Sequence, residues 1–595
     1  MPALARSRLL GVLTVLLLAA TGCQGDDDDP ATSGGDDPPA DATASGEAET
    51  PGPADELALT PGWGPTEAEL DAAARQVERL PLPALAGQVI VASWSGTAAP
   101  VRMVRDLHLG GVVAFDENLT SPARTRSMLS TLRRKVDRPW PLFLSVDQEG
   151  GIVERAATTP FPAFMSAGAA GDEALTTRVY RQYGAELAGL GFTVDFAPVA
   201  DVTSGPDDPT IGSRSPGSDP RLVGEQAVAA AEGLGAGGVV PVLKHFPGHG
   251  SVPADSHLEL PVQQRSLGEL RRVDLAPFAT AIDAGAPALM TGHLDVRAVS
   301  PRKPSSLSRK VTTRLLRREL GFDGLVVTDS LQMAAVTEGR DPGEVAVKAL
   351  RAGNDVLLMP TDPAAARAAI VRAVRQNDLP RFRLLQAAAR QVALLEHASG
   401  RSGTPVGSAR DASRELSAAA VTVASGPCRG RVVDGAVVAT GDAEAAAAFG
   451  GAARAAGLEV LSPRTAPDRL ASARPRPERG QDESASAYRQ RLVRWRAAER
   501  RRRAALADWR AAEARRLSGA TTVAFAGYGD GPVSAEVAVA TDTPYVLAGS
   551  DAPVRIATYG TTAGAMSALV DVLTGEERAP GRLPVDVADV ERPGC

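Results

Sequence analysis

Cysteine is almost missing from this chain: three residues in 595, at positions 23, 428 and 595. That excludes a disulfide-framed scaffold, and spacing alone does not place Cys428 and Cys595 in contact. Lysine is nearly as rare, with five residues among 64 basic ones, and histidine occurs six times. No apolar run is long enough for a confident transmembrane helix, the longest near the start being Leu9 to Ala20. Positive charge is absent from residues 24–56, which hold eleven acidic residues. Removing those eleven from the net charge of −7 leaves the remainder at +4, of which Arg6 and Arg8 supply two. A folded part so close to neutral excludes a dedicated nucleic-acid binder. What is present, 44% hydrophobic and 23% charged residues, is ordinary for a globular protein, and the length allows two or three buried cores.

The N-terminus reads as a targeting segment. Arg6 and Arg8 form a basic region ahead of the apolar run, as in an export signal over residues 1–22. The run ends Ala19-Ala20-Thr21-Gly22-Cys23, which resembles a bacterial lipobox with Cys23 as the lipid-bearing residue, although Ala20 stands where Leu is more usual. This implies a protein anchored to the outer side of the cell membrane, the alternative being a secreted one. From residue 23 to 65 the chain is mostly Asp, Gly, Pro, Ala, Ser and Thr, and is expected to be a disordered tether.

Beyond it, Thr66 and Glu69 form a capping box for a first helix. Eight apolar runs then alternate with helix-like segments up to about residue 400: 89–94, 111–115, 142–146, 192–198, 239–243, 288–291, 325–328 and 355–359. Helical patterns fall at 124–136, 172–190, 219–234, 267–284 and 309–320. This is the pattern of a (β/α)8 TIM-barrel-like domain over residues 66–400, with a doubly wound sheet as the alternative. In a barrel, function sits where strands end. The residues leaving these strands are Asp147, Asp201, Lys244 with His245, His293 and Asp329, so ionisable groups gather at one face. After a linker (401–416), residues 417–595 read as a smaller α/β domain, with strands at 421–424, 436–440, 522–526, 544–547 and 554–557. An Arg-rich segment, about 484–517, interrupts it. It reads either as a solvated helix or as a weak contact for anionic wall polymer or lipid headgroups.

The densest stretch is Lys244-His245-Phe246-Pro247-Gly248-His249-Gly250, continuing to Asp255-Ser256-His257. An apolar strand delivers Lys244 and His245, and a glycine-containing loop carries Asp255 and His257, two residues apart and able to pair. His245, His249 and His257 match no zinc spacing, so no metal or other cofactor is implied.

Four motifs in order, Asp147-Gln148-Glu149-Gly150-Gly151, the run from Ile211 to Pro220, Lys244 to His257, and Val327-Thr328-Asp329-Ser330, resemble glycoside hydrolase family 3. The likeness is to its NagZ-type β-N-acetylglucosaminidase branch. The resemblance implies Asp329 as nucleophile, His257 as acid/base and Asp255 as its partner. It implies Asp147, Arg155, Arg214, Lys244 and His245 as sugar contacts. Ile152 departs from the family, which usually has a polar residue there, and His249 reads as loop architecture. His293 is either at the site or structural at the barrel rim. The expected activity is retaining, exo-acting removal of β-linked N-acetylglucosamine from saccharides or peptidoglycan fragments. A phosphorylase or β-glucosidase on the same fold, and a non-catalytic wall-binding lipoprotein, are the alternatives.

Overall fold

The computed structural model describes residues 51–527, 529–590 and 594–595. The expected signal segment, Cys23 and the tether up to residue 50 lie outside the described residues. The tether ends sooner than its composition implies. Pro53–Glu56 form a helical turn, and Ala54, Leu57, Leu59 and Trp63 are buried in the main core. Polar clamps fasten the stretch: Asp71 accepts the Ala54 N–H at 2.9 Å, and Gln386 Nε2 donates to the Leu57 carbonyl at 2.9 Å.

Eight strands follow: β1 (Ile90–Ala92), β2 (Gly111–Val113), β3 (Phe143–Val146), β4 (Val194–Asp195), β5 (Leu243–Phe246), β6 (Ala288–Thr291), β7 (Leu325–Thr328) and β8 (Leu357–Leu358). All neighbours are parallel. The Val240–Pro241 segment ahead of β5 pairs with β4, and Val199 bridges to Lys244. β8 pairs with β1, and a Val327–Val356 bridge joins β7 to the chain entering β8. First and last strands being neighbours, the sheet curls round as a TIM-barrel-like ring and not as a doubly wound sheet.

Sequence explains where the helices begin. Asp219-Pro220, Asp341-Pro342 and Asp362-Pro363 each place an N-capping carboxylate before a proline at the first helical position, where no N–H is needed. Gly191, Gly238 and Gly353 end helices in the left-handed conformation. The expected helix at 267–284 is two, Leu267–Arg272 and Ala276–Asp283, because Pro277 can stand only in a first turn.

The helix Arg410–Ala420 runs through the expected boundary at 416/417, so no linker ends there. The C-terminal domain is a six-stranded sheet in the order Thr422–Ser425, Val554–Ala557, Val537–Ala540, Thr521–Ala526, Ala436–Gly441, Glu459–Val460. Only the first pairing is antiparallel. The expected strand at 544–547 is a 3-10 turn opened by Pro544, and the strand is Val537–Ala540 instead. The Arg-rich segment is a 33-residue helix, Ala485–Leu517. Its Glu513 is clamped by Arg464 and Arg516, at 2.6 and 2.5 Å. Cys428 and Cys595 form a disulfide with a Cα–Cα distance of 5.5 Å.

Candidate active site

A pocket of about 430 Å³ opens at the C-terminal ends of the barrel strands. Asp147 leaves β3, Lys244 and His245 sit in β5, and Asp329 leaves β7; all four line it. Adjacent residues in a strand normally point to opposite faces. Here β5 carries one extra residue against β6, since Leu243 pairs with Leu289 but Phe246 with Thr291. Such a bulge re-aims side chains, and Lys244 and His245 both enter the pocket. The peptide between them is cis.

The pocket floor is a charge network. Lys244 Nζ lies 2.7 Å from both Asp147 Oδ1 and Glu149 Oε1. Arg214 grips Glu149 with two parallel contacts, Nε to Oε2 at 2.8 Å and Nη2 to Oε1 at 2.9 Å. Burial alone would favour neutral Glu149, but Arg214 and Lys244 outweigh it and hold its carboxyl well below the usual range. Arg214 therefore lines the pocket with much of its fork already engaged. Its remaining Nη1 donates to the Thr210 carbonyl at 3.0 Å.

Asp201, buried behind the pocket, organises the histidine loop. Its carboxylate accepts the His245 and His249 N–H groups, at 3.1 and 2.6 Å, and faces His245 Nδ1 at 2.7 Å. Burial resists its charge, and His245 and His249 overcome that, keeping it ionised. An ionised partner fixes the proton on Nδ1 and leaves His245 Nε2 as the other ring nitrogen. His249 is pushed down to about 4, by burial first and His245 second, and its Nε2 meets Ser256 Oγ at 3.0 Å.

Asp329 is only 8% exposed. Burial disfavours its charge, but His245, His293, the Ser330 N–H at 2.7 Å and Lys244 hold its carboxyl below the usual range. It is an ionised carboxylate at the pocket wall. Also lining the pocket, on the loop after β5, His257 is 60% exposed with its Nδ1 2.7 Å from Asp255 Oδ1. Asp255 also accepts the His257 N–H at 2.9 Å. Burial works against the charge on Asp255, and the His257 N–H and ring outweigh it. The pair is thus formed through Nδ1, with Nε2 as the other ring nitrogen. Asp255 stands behind His257 and does not itself line the pocket.

Arg155 lines the pocket, pairs with Asp116 at 3.1 Å, and has a buried Nε with no hydrogen-bond partner among the described residues. His293 is fully buried and bonds Ser306 Oγ and the Ser330 carbonyl, at 2.7 and 2.9 Å, so it braces the chain beside Asp329. That decides the choice left open for it in favour of a structural role. Sequence reasoning assigned no role to Glu149 or Asp201; the signal was there, an acid two residues after Asp147 and another at a strand end.

The description "Glycosyl hydrolase family 3 N terminal domain" fits residues 85–394. β-Hexosaminidase A of Pseudoalteromonas piscicida is 36% identical over 274 residues, 42% of this chain and 46% of that protein, so the match spans about half of that relative. β-Hexosaminidase LpqI of Mycobacterium tuberculosis is 36% identical over 309 residues, 49% of this chain and 77% of that protein. A solved family 3 β-N-acetylglucosaminidase from Paenibacillus sp. str. FPU-7 superimposes with a TM-score of 0.70 at 27% identity. It covers 85% of this chain and 99% of its own, so both domains are shared. With the matched region enclosing every residue that lines the pocket, the chain belongs to glycosyl hydrolase family 3.

Proposed function

We propose that this chain is a retaining, exo-acting β-N-acetylhexosaminidase that releases terminal N-acetylglucosamine from peptidoglycan fragments, held outside the cell membrane by a lipid on Cys23. The observation that carries the reading is the convergence of an ionised Asp329 and the Asp255–His257 pair on one pocket. Asp329 attacks the anomeric carbon while His257, protonated at Nε2, gives that proton to the departing oxygen. The bond to the leaving sugar breaks as the bond to Asp329 forms. His257 then takes a proton from water, whose oxygen displaces Asp329 and restores the original anomeric configuration.

Lys244, Asp147 and Arg155 supply donors and acceptors for ring hydroxyls, and a buried charged group left unpaired by the wrong sugar costs selectivity energy. The β-hexosaminidase names of the relatives support the sugar. The N-terminal pattern supports export, as does the Cys428–Cys595 disulfide, a bond that belongs to an oxidising compartment.

The test offers chromogenic β-N-acetylglucosaminide and β-glucoside to wild type, Asp329→Ala and His257→Ala, with and without phosphate. Preference for the N-acetylated substrate, with inactivity of Asp329→Ala, is expected. Preference for the glucoside, or a sugar-1-phosphate product with phosphate, overturns the hydrolase reading. Mature protein partitioning into detergent, lost in Cys23→Ser, tests the anchor.

A further inference from the structure

On the far side of the pocket wall lies a second and larger cavity, about 670 Å³, between the barrel and the C-terminal domain. The wall is the hairpin Gln148–Gly150 with Val153–Glu154. Alternation along its returning strand serves both sides: Val153 and Arg155 line the catalytic pocket, Ile152 and Glu154 the cleft. Ile152, the residue that departs from the family motif, is 53% exposed here.

The opposite wall is made by the carboxyl ends of four adjacent parallel strands. Asp442 and Glu444 follow Ala436–Gly441, Gly527 follows Thr521–Ala526, Asp542 follows Val537–Ala540, and Thr562 lies beyond Val554–Ala557. Between Ala436–Gly441 and Thr521–Ala526 the strand order reverses direction: the chain goes outward to Glu459–Val460 on one side and to Val537–Ala540 on the other. Open α/β sheets bind ligands at such a reversal, outside the carboxyl ends of the strands. The volume is that of a small-molecule site.

One polar group in the cleft is unmet. Asp542 is 6% exposed; its Oδ1 accepts from Ser213 Oγ, while Oδ2 has no hydrogen-bond partner among the described residues. A buried carboxylate oxygen without a donor is costly unless a ligand supplies one. Arg410 and Arg414, from the helix Arg410–Ala420, also line the cleft and bring donors, Arg414 with one nitrogen at 3.4 Å from Asp411. A wall that both accepts and donates, with cationic and anionic sides, suits an uncharged ligand dense in hydroxyls. It does not suit a bare cation, which the arginines repel, or a phosphate, which the carboxylates of Asp442 and Glu444 repel.

We propose that this cleft is a second binding site for a neutral sugar unit, distinct from the catalytic pocket and separated from it by one hairpin. The Asp542 carboxyl hydrogen-bonds a sugar hydroxyl through Oδ2, and the tip at Ile152 covers the ring. The assignment rests on the chemistry of the cleft and not on turnover at Asp329.

Hydrogen exchange of the full chain with N-acetylglucosamine or di-N-acetylchitobiose reads both sites in one sample. Slower exchange is expected in two separate places: at residues 244–257 around the catalytic pocket, and at 442–445 with 560–565 around the cleft. Gly527→Leu should fill the cleft, because among the described residues, its chain neighbours aside, a Cβ there meets nothing nearer than Thr541 Oγ1 at 3.4 Å. It abolishes the second protection and leaves the first. Asp542→Ala, an independent variant, should need at least about tenfold more sugar for the same cleft protection. No protection in the cleft at a sugar concentration that saturates the catalytic pocket overturns the proposal. So does cleft protection unchanged by both variants, each checked for a cooperative melt. Cleft protection without any at 244–257 leaves this site standing and counts against the proposed catalytic reading.

Discussion

Lys244 Nζ is equidistant, at 2.7 Å, from carboxylate oxygens of Asp147 and Glu149. A single ammonium thus bridges two acids that would otherwise repel each other at the base of the pocket, with Arg214 on Glu149 supplying the second positive charge. Lys244→Met is expected to lower kcat/KM for a β-N-acetylglucosaminide by about 100-fold or more and to lower the melting temperature. Lys244→Arg should not restore activity, since a planar guanidinium cannot occupy the position of a compact point charge. Steady-state kinetics with thermal melts of both variants check this.

The proposed division of labour between Asp329 as nucleophile and His257 as acid has its own signature. Removing the nucleophile with Asp329→Ala should cost at least about 10³-fold on any substrate. Removing the acid with His257→Ala should cost about 10²–10⁴-fold on a poor leaving group, and far less on a nitrophenyl one that needs little protonation. Azide should rescue Asp329→Ala as a glycosyl azide of inverted configuration, seen by NMR. Equal losses for His257→Ala on both leaving groups would argue against its acid role.

Asp355 accepts three arginines, Arg317, Arg383 and Arg390, at 2.5, 2.7 and 3.5 Å, where the chain enters β8. This is the end of the barrel opposite the pocket, where charge serves stability. Burial resists the charge on Asp355 and the arginines overcome it, holding its carboxyl below the usual value. Its stabilisation is therefore present above the unfolded value and lost as pH falls through the folded one. Asp355→Ala should destabilise by about 3–5 kcal/mol in urea unfolding, with activity per folded molecule retained.

Glu154 titrates the other way. Burial raises it to about 7, against the Phe161 N–H and Tyr183 hydroxyl that favour its charge. Its contribution is full below the ordinary value of 4.5 and is lost as pH rises through 7. Across that window wild type should lose up to about 3 kcal/mol that Glu154→Gln does not. Unfolding free energies from pH 5 to 8 for the two chains provide the comparison.

The Cys428–Cys595 bond closes a loop across a separation of 167 residues. In the chain-entropy account it is worth about 5 kcal/mol, and Cys428→Ser should lower the melting temperature to that of the reduced wild type. A variant melting with oxidised wild type would mean that the bond adds no stability.

Much of the site was legible because ionisable residues at the ends of apolar runs stand out: Asp147, Lys244, His245 and Asp329 are where the pattern puts them. What was not legible depends on closure between distant parts of the chain. Glu149 and Arg214 are 65 residues apart, Asp201 and His245 are 44, and Ser213 and Asp542 are 329. No local pattern couples such pairs. In the fold, Val537–Ala540 escaped notice because four small residues make a weak apolar run, whereas Pro544–Leu547 looked stronger and is a turn. Likewise, Leu57, Leu59 and Trp63 were masked by surrounding Gly, Pro and Thr, although each is buried.

The extra residue in β5 makes length as binding a constraint as identity. A point substitution at Lys244 or His245 removes the contacts of that side chain alone, but a one-residue deletion between Leu243 and Phe246 would restore simple alternation and turn a neighbour out of the pocket. Descendants of this chain should therefore tolerate exchanges among the apolar residues around β5 and no change of spacing within it. A deletion scan should find inactivity there with the barrel still folded, while the same scan in the helix Ala485–Leu517 leaves catalysis untouched.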